Sequence, residues 1–283
     1  MTIQDALSRS TIIAGLTTHT IGRAIEHHRQ IDSTNTRAVE LARAGAPEGT
    51  LVLAEEQTAG RGRLGRRWHA PAGSSLLFSL ILRPELVPPQ AQRATMIVSL
   101  AAVEAIDAVT RLHAAVKWPN DVLVNGRKVG GVLTELGAGA SGGLDYVVVG
   151  MGLNVNLAVE ELPEVMTPAT SLMREAGQRV SRLSLLLALL ERVEYHLERM
   201  RRGVSPHEAW RRRLATLGQH VIVGTPEETI EGLAVDVDAD GALLVRTADE
   251  ESGERIVRIL AGDVTLRGHT VSPSGERRRP RLP

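Results

Sequence analysis

Twelve residues, Gln57-Thr-Ala-Gly-Arg-Gly-Arg-Leu-Gly-Arg-Arg-Trp68, constrain this chain more than any other stretch. Four arginines (Arg61, Arg63, Arg66, Arg67) alternate with three glycines (Gly60, Gly62, Gly65). Glycine lets the backbone turn tightly and approach a ligand closely, and it makes a loop floppy. Each arginine adds a permanent charge and a fork of donors shaped for a carboxylate or phosphate. Such a segment reads as a loop built to close over an anion. It also spells G-x-G-x-x-G after a predicted strand, Thr50–Ala54. The dinucleotide-binding form of that motif must open a helix, whereas Arg66-Arg-Trp-His-Ala-Pro71 has no helical apolar period and ends in proline. A solvated basic loop, or one that touches RNA, is the competing reading.

The whole chain narrows the choice. Its 283 residues are 43% hydrophobic, enough for one large domain and a small one. Aromatics are only 2%, so the core must be Leu, Val, Ile and Ala. A formal net charge of +0 argues against a protein that lives on polyanions. The absence of cysteine excludes disulfides, thiolate zinc sites and thiol catalysis. With no signal peptide and no apolar run approaching a membrane span, the expectation is a soluble, cytoplasmic chain with no membrane partner. Only two of the 33 basic residues are lysines, Lys117 and Lys128, and they lie within twelve residues of each other. Coding bias explains the scarcity of lysine. The clustering makes that segment a candidate site.

In order, the pattern predicts a loose N-terminal helix in residues 1–20 and a strand in 21–30. A helix capped by Ser33 or Thr34 and stopped by Gly45 and Pro47 follows. After the strand at 50–56 and the arginine loop come a buried strand at 74–82 and a long helix at 90–112 whose aliphatic stripe packs on a sheet. Asn125-Gly126 is a strong hairpin turn signal between 121–124 and 128–136. A further strand at 144–149 runs into Gly150-Met-Gly-Leu-Asn154; an acidic loop at 157–170 and helices at 181–201 and 206–214 complete the large domain. From residue 219 short alternating strands around an Asp240-Gly241 turn read as a small antiparallel barrel, and the tail from 272 as disordered.

Lys117-Trp-Pro-Asn-Asp121 sets a carboxylate and an amide on a turn fixed by Pro119, and the hairpin brings Lys128 close to Asp121. Such a pair is either a plain surface ion pair or a device that holds a metal-bound phosphate and orients a nucleophile. Gly130-Gly131 clears room for a ligand there. Lys117, before Trp118-Pro119, reads as a residue that orients the turn or meets solvent.

Gly60-Arg-Gly-Arg-Leu-Gly-Arg-Arg-Trp68, Lys117-Trp-Pro-Asn-Asp121, Lys128-x-Gly-Gly131 and Gly150-x-Gly-x-Asn154 together resemble biotin protein ligases, in that order, with Asp32-Ser-Thr-Asn35 and Gln57 fitting too. The resemblance implies an α+β fold: a class II synthetase-like catalytic domain over 21–215, with a mixed sheet and helices on one face, then an SH3-like barrel over 216–268. Residues 1–20 would be an extension and 269–283 a tail. It implies an enzyme that adenylates biotin with ATP and Mg²⁺ and passes biotin to a lysine of a biotin carboxyl carrier protein. Ser33, Thr34, Asn35, Gln57, Gly60, Arg61, Gly62, Arg63, Lys128 and Gly131 are then expected at biotin. Arg61, Arg63, Arg66, Trp68, Asn120, Lys128, Asn154 and Arg267 are expected at ATP. Lys128, Arg63 and Asp121 are the expected catalytic residues, with no protein metal cluster. Plain packing is the simpler reading of Trp68 and Trp118. The segment before Ile21 is too short for a DNA-reading domain, so no specific DNA is expected; a homodimer is left open. The alternatives are a lipoate or other acyl-protein ligase and a non-enzymatic sensor of biotinyl-AMP.

Overall fold

Period-two alternation in Leu144–Asn154 decides the architecture. Val147, Val149, Met151 and Leu153 join the main core on one side. Tyr146, Val148, Gly150, Gly152 and Asn154 turn to the other, as alternation along a strand requires. The computed structural model describes residues 7–139, 142–158, 168–225, 228–249 and 253–266. Arg267, the tail and most of the acidic loop at 157–170 lie outside these.

The elements are α1 (Arg9–Gly15), β1 (Ile25–His28), α2 (Thr34–Arg43), β2 (Leu51–Ala54), β3 (Ser75–Leu82), α3 (Gln92–Thr110), β4 (Ala114–Lys117), β5 (Asp121–Val124), β6 (Arg127–Ala138), β7 (Leu144–Asn154), α4 (Leu172–Ala176), α5 (Arg182–Arg201) and α6 (His207–Arg211). Then follow β8 (His220–Gly224), β9 (Thr229–Val237), β10 (Leu243–Asp249), β11 (Gly253–Ile259) and β12 (Asp263–Leu266). The first seven strands form one mixed sheet in the order β1-β2-β3-β7-β6-β5-β4, parallel only between β1 and β2. The last five form an antiparallel sheet in the order β11-β10-β9-β8-β12.

α3 and α5 pack on each other and on the sheet face made by Leu76, Phe78, Leu80, Val147 and Val149. This is the expected helix-covered face. The short α2 lies on the opposite face, where Ala38 and Ala42 meet Val52, Ile81, Tyr146 and Val148. That second face is therefore covered at one end and bare, glycine-lined, at the other. The small sheet shares the main core through Val221, Val223, Leu243, Val245 and Val264. Trp118 seals the junction: it is 1% exposed, its backbone N–H donates to Thr216 Oγ1 at 2.9 Å, and its indole donates to the Gly241 carbonyl at 2.8 Å. Trp118 is thus packed into this junction.

One buried charge anchors α5 beneath the bare end. Arg182 is 0% exposed and donates to Glu55 Oε2 at 2.7 Å and to the Ser75 carbonyl at 3.2 Å. Burial alone would raise the Glu55 pKa, but His27 and Arg182 outweigh it and hold the carboxyl below its ordinary 4.5. The folded value is depressed, so this stabilisation is present above the unfolded value and is lost as pH falls through the folded one. Glu55→Ala leaves a buried guanidinium without its carboxylate and should cost ~3–5 kcal/mol at pH 7. In denaturant melts across pH, the gap to the parent chain should narrow below pH 4.5. A gap that stays constant down to acid pH would contradict the assignment.

Candidate active site

Strand register places the site residues in rows. Lys117 pairs with Asp121, Asp121 with Gly131, Gly131 with Gly152 and Gly152 with Leu77, so all five share one sheet face. The next row holds Leu133, Gly150 and Ser79. The Asn125-Gly126 turn adopts φ 51° and 72°, as a tight hairpin needs. A register shift at Val122/Leu123 leaves Val129 out of the ladder. The Lys128 ammonium then lies 2.5 Å from Asp121 Oδ1, and a Cβ on Gly131 would sit 3.6 Å from Lys128 Nζ.

Over these rows lies a cavity of about 450 Å³. Its wall includes every expected site residue except two. Arg267 lies outside the described residues. Gly60 is not in this wall: its carbonyl accepts from the Trp68 N–H at 2.9 Å, which makes it the root of the arginine loop. The loop runs from there as a narrow flap, bridged at Arg61–Arg67, with Leu64 at φ 55° exposed at its tip. Trp68 lies across Gly152, where a Cβ would overlap the indole ring, and Lys128 Nζ stands 5.9 Å from its centroid. Trp68 is thus half-buried in the cavity wall, with an indole N–H that is buried and lacks a partner among the described residues. It also packs against the cluster of Ala70, Leu77 and Leu157, so packing and a place in the cavity wall coincide in this residue.

One end of the cavity is polar and neutral. Ser33 caps α2, and Thr34 donates through its backbone N–H and its hydroxyl to Gln57 Oε1, at 2.8 and 3.1 Å. Ser79 donates to Asn35 Oδ1 at 2.6 Å, and Gly150 has no Cβ because the Asn35 amide fills that space. The other end is cationic. Arg63 donates to Asn120 Oδ1 at 3.1 Å and to the Gly262 carbonyl at 3.4 Å; burial pushes its pKa down, as does Arg66, against the pull of Asp121. Arg66 pairs with Asp263 of β12. Asn120 also donates to the Val132 carbonyl at 2.7 Å, and Asn154, 3% exposed, donates to the Thr170 carbonyl at 3.2 Å.

Lys117 corrects the sequence reading. It is 7% exposed and sits in the cavity wall rather than meeting solvent. Burial lowers its pKa, Lys128 and Arg66 lower it further, and Asp121 opposes them. Its pairing across a tight turn with Asp121 was the available signal. Gly150 and Gly152 stand out in the sequence as a motif, and strand pairing turns their period-two spacing into a cleared floor. Asp263 carried no local signal, because only the return of the small sheet brings it to the flap.

Residues 27–154 match the biotin/lipoate A/B protein ligase family, and residues 216–267 match the biotin protein ligase C-terminal domain. The chain is similar to the bifunctional ligase/repressor BirA of Bacillus subtilis (strain 168), with 36% identity over 263 residues, which span 92% of this chain and 79% of that protein. It is 37% identical over 223 residues to a biotin–[acetyl-CoA-carboxylase] ligase of Paracoccus denitrificans, covering 76% of this chain and 91% of that one. Among solved structures, the biotin protein ligase from Aquifex aeolicus in complex with biotin and ATP aligns with a TM-score of 0.71 and 32% identity, over 87% of this chain and 99% of that one.

The glycine floor yields a direct expectation. Gly152→Ala drives a methyl group into the Trp68 indole and should lift the flap without touching the core. Trp118 and Trp210 are buried, so only Trp68 among the three tryptophans should respond. Tryptophan emission should shift to the red and become quenchable by acrylamide while the melting midpoint moves little. Unchanged emission would show that Trp68 does not pack on Gly152.

Proposed function

Because this chain belongs to the biotin protein ligase family, we propose that its cavity joins biotin to AMP and hands the biotinyl group to a lysine of a biotin carboxyl carrier protein. The observation that carries this reading is the cavity's division into a neutral polar end and a cationic end over one glycine floor. Biotin's ureido head needs donors and acceptors that an apolar wall lacks, and Ser33, Thr34, Asn35 and Gln57 supply them. Its carboxylate must meet the α-phosphate of ATP, anion against anion, and Lys128, Arg63 and Arg66 stand where that charge would gather.

In the first step a carboxylate oxygen of biotin bonds to the α-phosphorus and the bond to the β-phosphate oxygen breaks, releasing pyrophosphate. Lys128 holds both anions, and Arg61 and Arg63 close the flap over them. Lys117, in one row with Asp121, adds a second ammonium on the phosphate side. In the second step the neutral amine of the carrier lysine attacks the biotinyl carbonyl, the bond to AMP breaks, and Asp121 takes the amine proton. Trp68, Asn120 and Asn154 shape the nucleotide end. The flap keeps water from the mixed anhydride.

Mg²⁺ enters with ATP as part of the substrate. Among the described residues no group of three His, Asp or Glu side chains could hold a metal of its own. Asp121 is a carboxylate of the wall, and Mg²⁺ commonly binds through substrate phosphates and one or two carboxylates. No helix among the described residues is long and apolar enough to cross a membrane.

The deciding assay is biotin-dependent release of pyrophosphate from ATP, followed by mass gain on a carrier domain. Lys128→Ala should slow single-turnover adenylate formation by ~10² to 10³. Lys128→Arg should be nearly as harmful, because a planar fork cannot replace a compact charge between Asp121 and the Gly131 floor. Near-full activity of Lys128→Arg would move the catalytic cation elsewhere.

A further inference from the structure

Glu135 lies one row beyond the cavity floor, on the same face of β6 as Gly131 and Leu133. It does not line the inner cavity; it lines a second, outer one between β6 and the flap. A single oxygen, Oε2, accepts from Arg61 Nη2 at 2.8 Å and from Asn35 Nδ2 at 2.8 Å. One carboxylate thus joins the first arginine of the flap to the neutral polar wall.

The second bond has a directional consequence. A carboxylate only accepts, so Asn35 must turn its NH₂ toward Glu135 and the Leu133 carbonyl, 3.2 Å away. The Asn35 oxygen then faces Ser79, which also lies 2.9 Å from Thr34 Oγ1. The Thr34 hydroxyl and N–H both go to Gln57 Oε1, which leaves the Gln57 NH₂ as the donor end of that amide. Glu135 and the Leu133 carbonyl thus set the orientation of the Asn35 amide, while the Thr34 backbone N–H sets that of Gln57 on its own. The first bond has a mechanical consequence. On one flank the flap is tied by Arg63 and Arg66 to Asn120, Gly262 and Asp263. On the other it is tied by Arg61 to Glu135, with a longer contact from Arg61 to Thr36 at 3.3 Å.

We propose that Glu135 is a positioning residue that couples the seat of the flap to the orientation of the Asn35 amide in the polar wall, and thereby sets how long a bound acyl-adenylate is retained. It touches no reacting atom and acts through Arg61 and Asn35. The ligand part of this proposal rests on the function proposed above; the flap part does not.

Two variants separate charge from hydrogen bonding. Glu135→Gln keeps an oxygen that can accept but removes the negative charge that faces Arg61. Glu135→Ala removes both. Arg61 and Glu135 are partly exposed, and such pairs are modest. Amide exchange over residues 60–67 of the unliganded chain should therefore quicken ~2- to 5-fold in Glu135→Gln, and further in Glu135→Ala, with the melting midpoint nearly unchanged. In an Arg61→Ala background, Glu135→Gln should leave that exchange unchanged. With biotin and ATP, KM for biotin and the release rate of the adenylate should rise by a similar factor, while the single-turnover rate at saturation stays within about twofold. Unaltered flap exchange in both variants would overturn the coupling, as would full additivity with Arg61→Ala. A lower single-turnover rate at unchanged KM would overturn the positioning role. If the parent chain released no pyrophosphate with biotin, the proposed function would fail, and the exchange measurements would still decide whether Glu135 seats the flap.

Discussion

The site depends on the missing side chains of the central strands. Gly131, Gly150 and Gly152 lie on the face of β6 and β7 that α2 leaves bare. At Gly150 and Gly152 any Cβ would collide with Asn35 or Trp68. Glycine in a strand interior costs about 0.5–1 kcal/mol relative to alanine and gives up a packing side chain. That cost is tolerable because the opposite face of the same strand carries Val147, Val149, Met151 and Leu153 into the core. One strand thus has a stability face and a working face, with a period of two residues.

Electrostatics follows from that floor. A wall with Lys117, Lys128, Arg61, Arg63 and Arg66 would repel itself strongly at a reduced dielectric. The chain places carboxylates from separate elements against it: Asp121 at Lys128, Glu135 at Arg61 and Asp263 at Arg66. Each pair is partly exposed and individually weak. Their value lies in geometry, because three carboxylates on β5, β6 and β12 hold the cations of two flexible side-chain sets in register with the floor. The small sheet is part of the site for this reason, since it supplies Asp263 and the Gly262 carbonyl to the flap.

Much of this was legible in the sequence. The arginine-glycine loop, the Asn125-Gly126 hairpin and the lysine cluster are local signals, and each maps to the cavity or its frame. The strand at 144–149 was legible too, though it runs on to Asn154 through the two glycines. What stayed hidden depends on distance along the chain. Asp263 meets Arg66 across 197 residues, and β12 is only four residues long, too short to show a period. Glu135 reads as any solvent-facing strand residue, because alternation predicts a polar side chain there. α2 on the second face was equally unreadable, since its small residues Ala38 and Ala42 mark close packing without saying against what.

The two lysines can be understood in the same terms. Coding bias explains why arginine fills 31 of the 33 basic positions, but it does not explain where the exceptions fall. Lys117 and Asp121 occupy one row of adjacent strands, and Lys128 reaches that same carboxylate beside Gly131. All three line a cavity whose floor has been cleared for something else. A guanidinium needs a flat slot and directs its donors in a plane, whereas an ammonium is compact and can turn its three donors toward whatever oxygens arrive. Arginine suits the flap, which lies over the cavity and meets carboxylates at its edge. Lysine suits the floor, where space was made by removing side chains and would be lost to a wider head group.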